Sequence, residues 1–150
     1  MKWITRKNIK VDRVACPWLI SRFIDPDAQF LFVTEDELLD VAAREGAIPF
    51  DAPRLAEVQL NHRGERCTFE AIIEDFSLNP PGLTALALIV RAADIKGQEL
   101  IAPEGVGLRA IANGFQALGL SDEDRLAKQF PIYDALLAYC RNSTHKEITP

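Results

Sequence analysis

After the breaker Asn79-Pro80-Pro81-Gly82 the chain runs Leu83-Thr84-Ala85-Leu86-Ala87-Leu88-Ile89-Val90, a helix-forming stretch that is apolar almost all round. Such a helix has too little polar surface for an outer layer and is expected at the centre, with the other elements packed around it. Its stripe Leu83, Ala87, Val90 continues at the same spacing onto Asp94, which puts a carboxylate on an inward face in the last turn. Partial burial and the negative end of the helix dipole both oppose a charge there, the dipole alone by ~0.3–1 kcal/mol. A cation is needed beside Asp94, either a metal or an arginine.

The remaining elements are read outward from this helix. Lys2 to Ile9 reads as a strand, and Asp12 to Pro17 leads into a helix near Trp18 to Asp25. Pro17 suits a first helical position, which would set Cys16 at the N-cap. Gln29 to Val33 reads as a strand, Glu35 to Arg44 as a helix stopped by Gly46, and Ala47 to Phe50 as a short strand that Pro49 marks as an edge or an end. Val58 to His62 alternates like a further strand, and Arg63-Gly64-Glu65 turns the chain. Thr68 can then cap a helix to about Phe76, buried along Phe69, Ile72, Ile73 and Phe76, with Glu70 beside the stripe. Pro103 to Leu118 forms another helix ending at Gly119. Its opening, Pro103-Glu104-Gly105-Val106-Gly107, lacks the lysine of a phosphate loop and is read as helix entry. Ser121 starts a last helix that Pro131 should kink or divide. The expected class is α+β and helix-rich, with a few short strands mainly in the N-terminal half, as one domain over residues 1–143 and a frayed tail over residues 144–150.

Of 150 residues, 48% are hydrophobic and 26% charged, which suits one self-sufficient core. A net charge of −5 without any basic run argues against direct nucleic-acid binding. No apolar stretch reaches the length of a membrane span, and the first ten residues lack a signal peptide's apolar core. Three widely spaced cysteines, Cys16, Cys67 and Cys140, fit reduced thiols rather than a disulfide framework. A soluble, cytoplasmic protein is expected.

Chemistry concentrates in Asn61-His62-Arg63-Gly64-Glu65-Arg66-Cys67-Thr68-Phe69-Glu70, since the only other histidine, His145, lies in the polar tail. His62, Glu70 and Asp94 are the candidate metal ligands: one imidazole with two carboxylates suits zinc, manganese or iron and leaves positions open. Cys67 could join them or pack under the turn. The same three residues could instead form a polar cluster without metal, His62 bonding Glu70 and Asp94 pairing with Arg91 or Arg13. Cys16 is a candidate redox thiol if a helix N-terminus lowers its pKa, and a small buried hydrophobe otherwise. Arg13 and Arg22 could offer guanidinium forks to a small oxyanion, or form salt bridges with Asp12, Asp25 or Glu35.

Several stretches together resemble the chromate-resistance protein family. They are Trp3-Ile4-Thr5-Arg6, the long run from Val11-Asp12-Arg13-Val14-Ala15-Cys16-Pro17-Trp18 to Asp25-Pro26, His62 through Glu70, Ile89 through Ile95, and Tyr133 through Arg141. In that family such a domain commonly forms the C-terminal part of a chromate-responsive regulator, behind a region thought to bind DNA. The resemblance implies a role in chromate or metal stress, here as a free-standing domain, and strengthens the metal reading because His62, Glu70 and Asp94 fall within matching stretches. The leading expectation is a metal-binding domain that binds or senses a metal and a small oxyanion. One alternative is a metal- or thiol-dependent enzyme acting on a small anion. Another is an interaction module of a regulatory complex, with an apolar patch along the last helix and a homodimer as one outcome.

Overall fold

A computed structural model describes the backbone of residues 1–148 and the side chains through residue 143, so of the frayed tail expected over 144–150 residues 149 and 150 lie outside the described residues. In chain order the elements are β1 (Lys2–Arg6), α1 (Asp12–Phe23), β2 (Gln29–Val33), α2 (Glu35–Glu45), β3 (Ile48–Pro49), α3 (Thr68–Asp75), α4 (Leu83–Asp94), a 3₁₀ turn (Glu99–Ile101), α5 (Glu104–Ala117) and α6 (Asp122–Ile148). This is the helix-rich α+β fold that the sequence predicts, its strands confined to the N-terminal half.

The strands form one parallel sheet in the order β2-β1-β3. Trp3 stands opposite both Phe30 and Ile48, and Ile4 opposite Leu31 and Pro49. Because successive side chains leave a strand on opposite faces, Trp3 enters the main core while Ile4 joins a smaller cluster with Leu38 and Ala42 of α2 and with Val58. Gly46, at φ 63°, ends α2 in the left-handed conformation that glycine adopts without strain.

Helix α4 occupies the centre, against α1, α3, α5 and α6. Leu83, Leu86, Ala87, Ile89, Val90, Ala92 and Ala93 are buried along it. Trp18, Phe69 and Tyr133 complete the aromatic centre, with the Trp18 and Phe69 rings stacked at 6.4 Å and Trp18 and Tyr133 at 6.0 Å. Each such fully buried side chain contributes roughly 1.5–3 kcal/mol relative to exposure. Among the described residues, no helix is long and apolar enough to cross a membrane.

Several boundaries differ from the sequence reading. β1 stops at Arg6, short of Ile9. α1 begins at Asp12, so Pro17 lies inside the helix and Cys16 is no N-cap. Core burial from Val14 to Ile20 outweighs the one hydrogen bond that proline removes. No strand forms over Val58 to His62; only Leu60 bridges to Phe50. The alternation there is real, but one bridge replaces a ladder because β3 is two residues long. The N-cap of α3 is Cys67 rather than Thr68. α6 runs unbroken through Pro131, its inner face anchored by Leu126, Tyr133, Leu137 and Cys140. Exposed large apolar residues include Tyr139 on α6, but Val106 and Ile111 lie on α5 and Leu118 at its end.

Candidate metal centre around His62

Three separate parts of the chain bring carboxylates to one imidazole. The first arrives with α1. Val11 holds φ 42°, unusual for a β-branched residue, and its carbonyl accepts the N–H groups of Val14 and Ala15 and the Tyr133 hydroxyl. That turn sets Asp12 in the first turn of α1, 1% exposed. Its carboxylate accepts the Thr68 N–H at Oδ2 (2.8 Å) and the Phe69 N–H at Oδ1 (3.1 Å). Asp12 therefore caps α3 from a different helix, where the dipole favours an anion.

The second carboxylate follows β3. Asp51, also at positive φ, is fixed through its backbone. Its N–H donates to the Leu60 carbonyl at 2.8 Å, and its own carbonyl accepts from Arg6 Nε at 3.1 Å. The Thr68 hydroxyl donates to Asp51 Oδ1 at 2.7 Å, while Arg13 Nε lies 3.5 Å from Oδ2. Asn61 ties the next loop to this corner, accepting the Ala52 N–H at 2.6 Å and donating to the Ala52 and Val58 carbonyls. His62 follows directly. The third carboxylate, Asp94, ends α4 as its sequence stripe predicts.

His62 Nε2 lies 3.2 Å from Asp12 Oδ2, 3.4 Å from Asp51 Oδ1 and 3.2 Å from Asp94 Oδ2. Asp12 and Asp51 are buried, Asp94 is 17% exposed and His62 31%. The cluster thus has a closed floor and an open side. The cation that Asp94 needs is His62: hydrogen bonds with Asp12, Asp51 and Asp94 push its pKa from 6.5 up to about 12. Burial, and then the charge of Asp94, raise the Asp12 carboxyl from 3.8 to about 7. Burial acts on Asp51 too, but hydrogen bonds from His62 and Thr68 and the charges of His62 and Arg13 prevail and hold it below its ordinary value.

Of the three ligands expected from sequence, His62 and Asp94 come together. Glu70 turns to Arg91, whose Nε donates to Oε1 at 2.8 Å and whose NH2 donates to Oε2. Oε1 also accepts the Cys67 N–H at 3.1 Å as a capping contact. The group that could hold a cation is instead Asp12, His62 and Asp94, whose ligand atoms lie within 4.8 Å of one another. Sequence reasoning passed over Asp12 and Asp51 as site residues. Asp12 carried a signal nonetheless, being an acid immediately before a buried apolar run.

Arg13 and Arg22 are not brought together. Nine residues along one helix separate them by roughly 13 Å. Arg13 NH1 donates to the Arg6 and Lys7 carbonyls, and Arg22 pairs with Asp134 through two 3.0 Å bonds beneath the Phe130 ring. Neither guanidinium faces the other. Cys16 is 0% exposed, and burial followed by the charges of Asp12 and Asp51 raises its thiol well above its ordinary pKa. Its Sγ approaches Asp12 Oδ1 at 3.6 Å. A reactive thiolate has no support in that environment.

Fold and site together define a helix-rich α+β domain in which one histidine is gripped by three aspartates from α1, the end of α4 and the loop after β3. The chain belongs to the chromate-resistance family of the ChrB C-terminal domain, whose family model matches residues 3–140. It is similar to Protein ChrB of Cupriavidus metallidurans, 34% identical over 137 residues that cover 91% of this chain and 36% of the relative. The chain thus spans about a third of the length of that curated relative. No solved structure matches it.

Proposed function

We propose that this chain is a metal-binding module of chromate or metal stress resistance, with Asp12, His62 and Asp94 as ligands to a divalent transition metal and Asp51 as an adjoining carboxylate. The observation that carries this reading is the convergence of three carboxylates on one imidazole nitrogen at 3.2–3.4 Å. Ligand atoms around a tetrahedral metal at ~2.1 Å stand about 3.4 Å apart, close to the separations of His62 Nε2 from Asp12 and Asp94. Nitrogen and carboxylate donors without thiolate suit zinc, manganese or iron. Three carboxylates also outnumber one imidazolium, and the neighbouring charges of Asp94 and Asp51 add to burial in raising the Asp12 carboxyl. A dication in place of the His62 proton would relieve it.

Metal content of the purified protein and its melting temperature with added zinc, manganese or iron(II) test the reading. About one metal per chain, lost in both His62→Ala and Asp94→Asn, is the expected result. Protein that retains no metal and whose melting temperature is unmoved by all three ions would return the cluster to a purely structural role.

A further inference from the structure

Helix α5 contains three glycines, and only one of them serves the interior. A Cβ on Gly105 would stand 2.5 Å from the Cβ of Ala92, so that glycine allows α5 to lie close on α4. Gly107 and Gly114 are different. Both are exposed, neither has a positive φ, and a Cβ on either would meet nothing within 4 Å. Glycine inside a helix weakens it relative to alanine, and nothing within this chain compensates for that weakness at these two positions.

The same outer face bears Ile111, 42% exposed, and Leu118, 66% exposed, with Val106 at 59% beside them. No exposed position from 106 to 118 carries a charged side chain. An outward helix face in a water-soluble fold ordinarily carries charges. Gly107, Ile111, Gly114 and Leu118 follow each other at intervals of four, three and four, which places them in one stripe.

We infer that this stripe pairs with the α5 of a second copy, the two helices running antiparallel about a twofold axis between residues 112 and 113. In that register Leu118 faces Gly107 of the other copy and Ile111 faces Gly114, and the same two contacts recur across the axis. Every large side chain meets a glycine, and every glycine receives a large side chain. Self-complementarity of this kind is what a twofold interface requires, and small residues let two helices approach closely. Each copy carries −5, and this face adds no charged side chain to the repulsion between copies. One face of a helix roughly 21 Å long buries less than the ~800 Å² per partner of a standard interface. The resulting dimer dissociates on dilution.

Sedimentation velocity over a concentration series tests the inference. Wild type is expected to pass from monomer to dimer as concentration rises. Leu118→Glu should remain monomeric with the melting temperature of the diluted wild type. Gly114→Ile should also abolish the dimer, and the exchange Ile111→Gly/Gly114→Ile should restore it, because each isoleucine again meets a glycine. A wild type that stays monomeric at the highest concentration overturns the inference. So does a dimer that survives Leu118→Glu, or a Gly114→Ile variant that associates as well as wild type.

Discussion

Asp12 Oδ2 accepts the Thr68 N–H at 2.8 Å while standing 3.2 Å from His62 Nε2, so one buried oxygen both caps α3 and anchors the imidazole. The stability of the α3 junction and the charge state of the cluster are joined through that atom. Substitutions at position 12 separate the two roles.

Asp12→Ala removes the cap and leaves the Thr68 and Phe69 N–H groups without their acceptor. The expected loss is ~2 kcal/mol or more in urea unfolding, at the upper end of capping effects because the site is buried. Asp12→Asn keeps a carbonyl oxygen for one N–H and should lose less stability. Metal retention should fall in both. Equal stability of the alanine and asparagine variants would show that capping is not what Asp12 contributes.

The metal-free protein should lose stability as pH rises above neutrality. The His62 pKa stands at about 12 in the folded state against 6.5, so folded chains hold a proton that unfolded chains release. That contribution is complete below the unfolded value and drains away as pH climbs toward the folded one. Asp12, raised from 3.8 to about 7, acts with the same sign in its own lower window. Urea midpoints at about pH 7 and 9 should therefore fall more steeply for wild type than for His62→Gln, whose remaining decline comes from the buried thiols of Cys16 and Cys67. A wild-type midpoint that rises across this range contradicts a protonated His62.

Arg91→Ala removes the guanidinium from Glu70, which is only 11% exposed and keeps the Cys67 N–H as a donor. The expected cost is ~1–3 kcal/mol, since the pair is only partly buried, and adding Glu70→Gln should recover part of it. Metal content should be unaffected by the pair of changes. Loss of metal in Glu70→Gln/Arg91→Ala would bring Glu70 back among the ligands.

Native protein should react slowly with a thiol reagent at Cys16 and Cys67. Both are 0% exposed and have thiol pKa values raised first by burial and then by Asp12. Reaction should accelerate only on unfolding. A fast-reacting Cys16 in the folded chain would revive the redox-thiol alternative.

The two helical glycines should separate in the monomeric Leu118→Glu background. Gly105→Ala meets Ala92 and should cost ~1–3 kcal/mol, whereas Gly107→Ala meets nothing and should gain roughly 0.5–1 kcal/mol. Thermal unfolding of the two variants reads the difference directly.

Much of the fold was legible because local pattern and final environment agree. The nearly all-apolar run from Leu83 reads as central and is central; the Gly46 stop holds, and so does the stripe that carries Asp94 inward. The failures occur where a local signal met a stronger tertiary one. Pro17 reads as a helix start and Pro131 as a kink or a division, yet Pro17 lies inside α1 and α6 is not divided at Pro131, because the neighbouring turns bury too much apolar surface to break there. The alternation of Val58 to His62 reads as a strand, yet β3 is too short to pair with it.

The sequence by itself determined which side chains were available for chemistry, a lone body histidine and an inward carboxylate at Asp94, because composition and helical period are properties of the chain alone. Tertiary structure decided the partners. Glu70 is three residues from Cys67 and was taken by Arg91 of α4, while Asp12 and Asp51, remote from His62 in sequence, reached it through a helix junction and a strand end. The reason is physical: a carboxylate binds whichever cation or N–H group the packing of helices sets within about 3 Å, and spacing along the chain does not encode that distance.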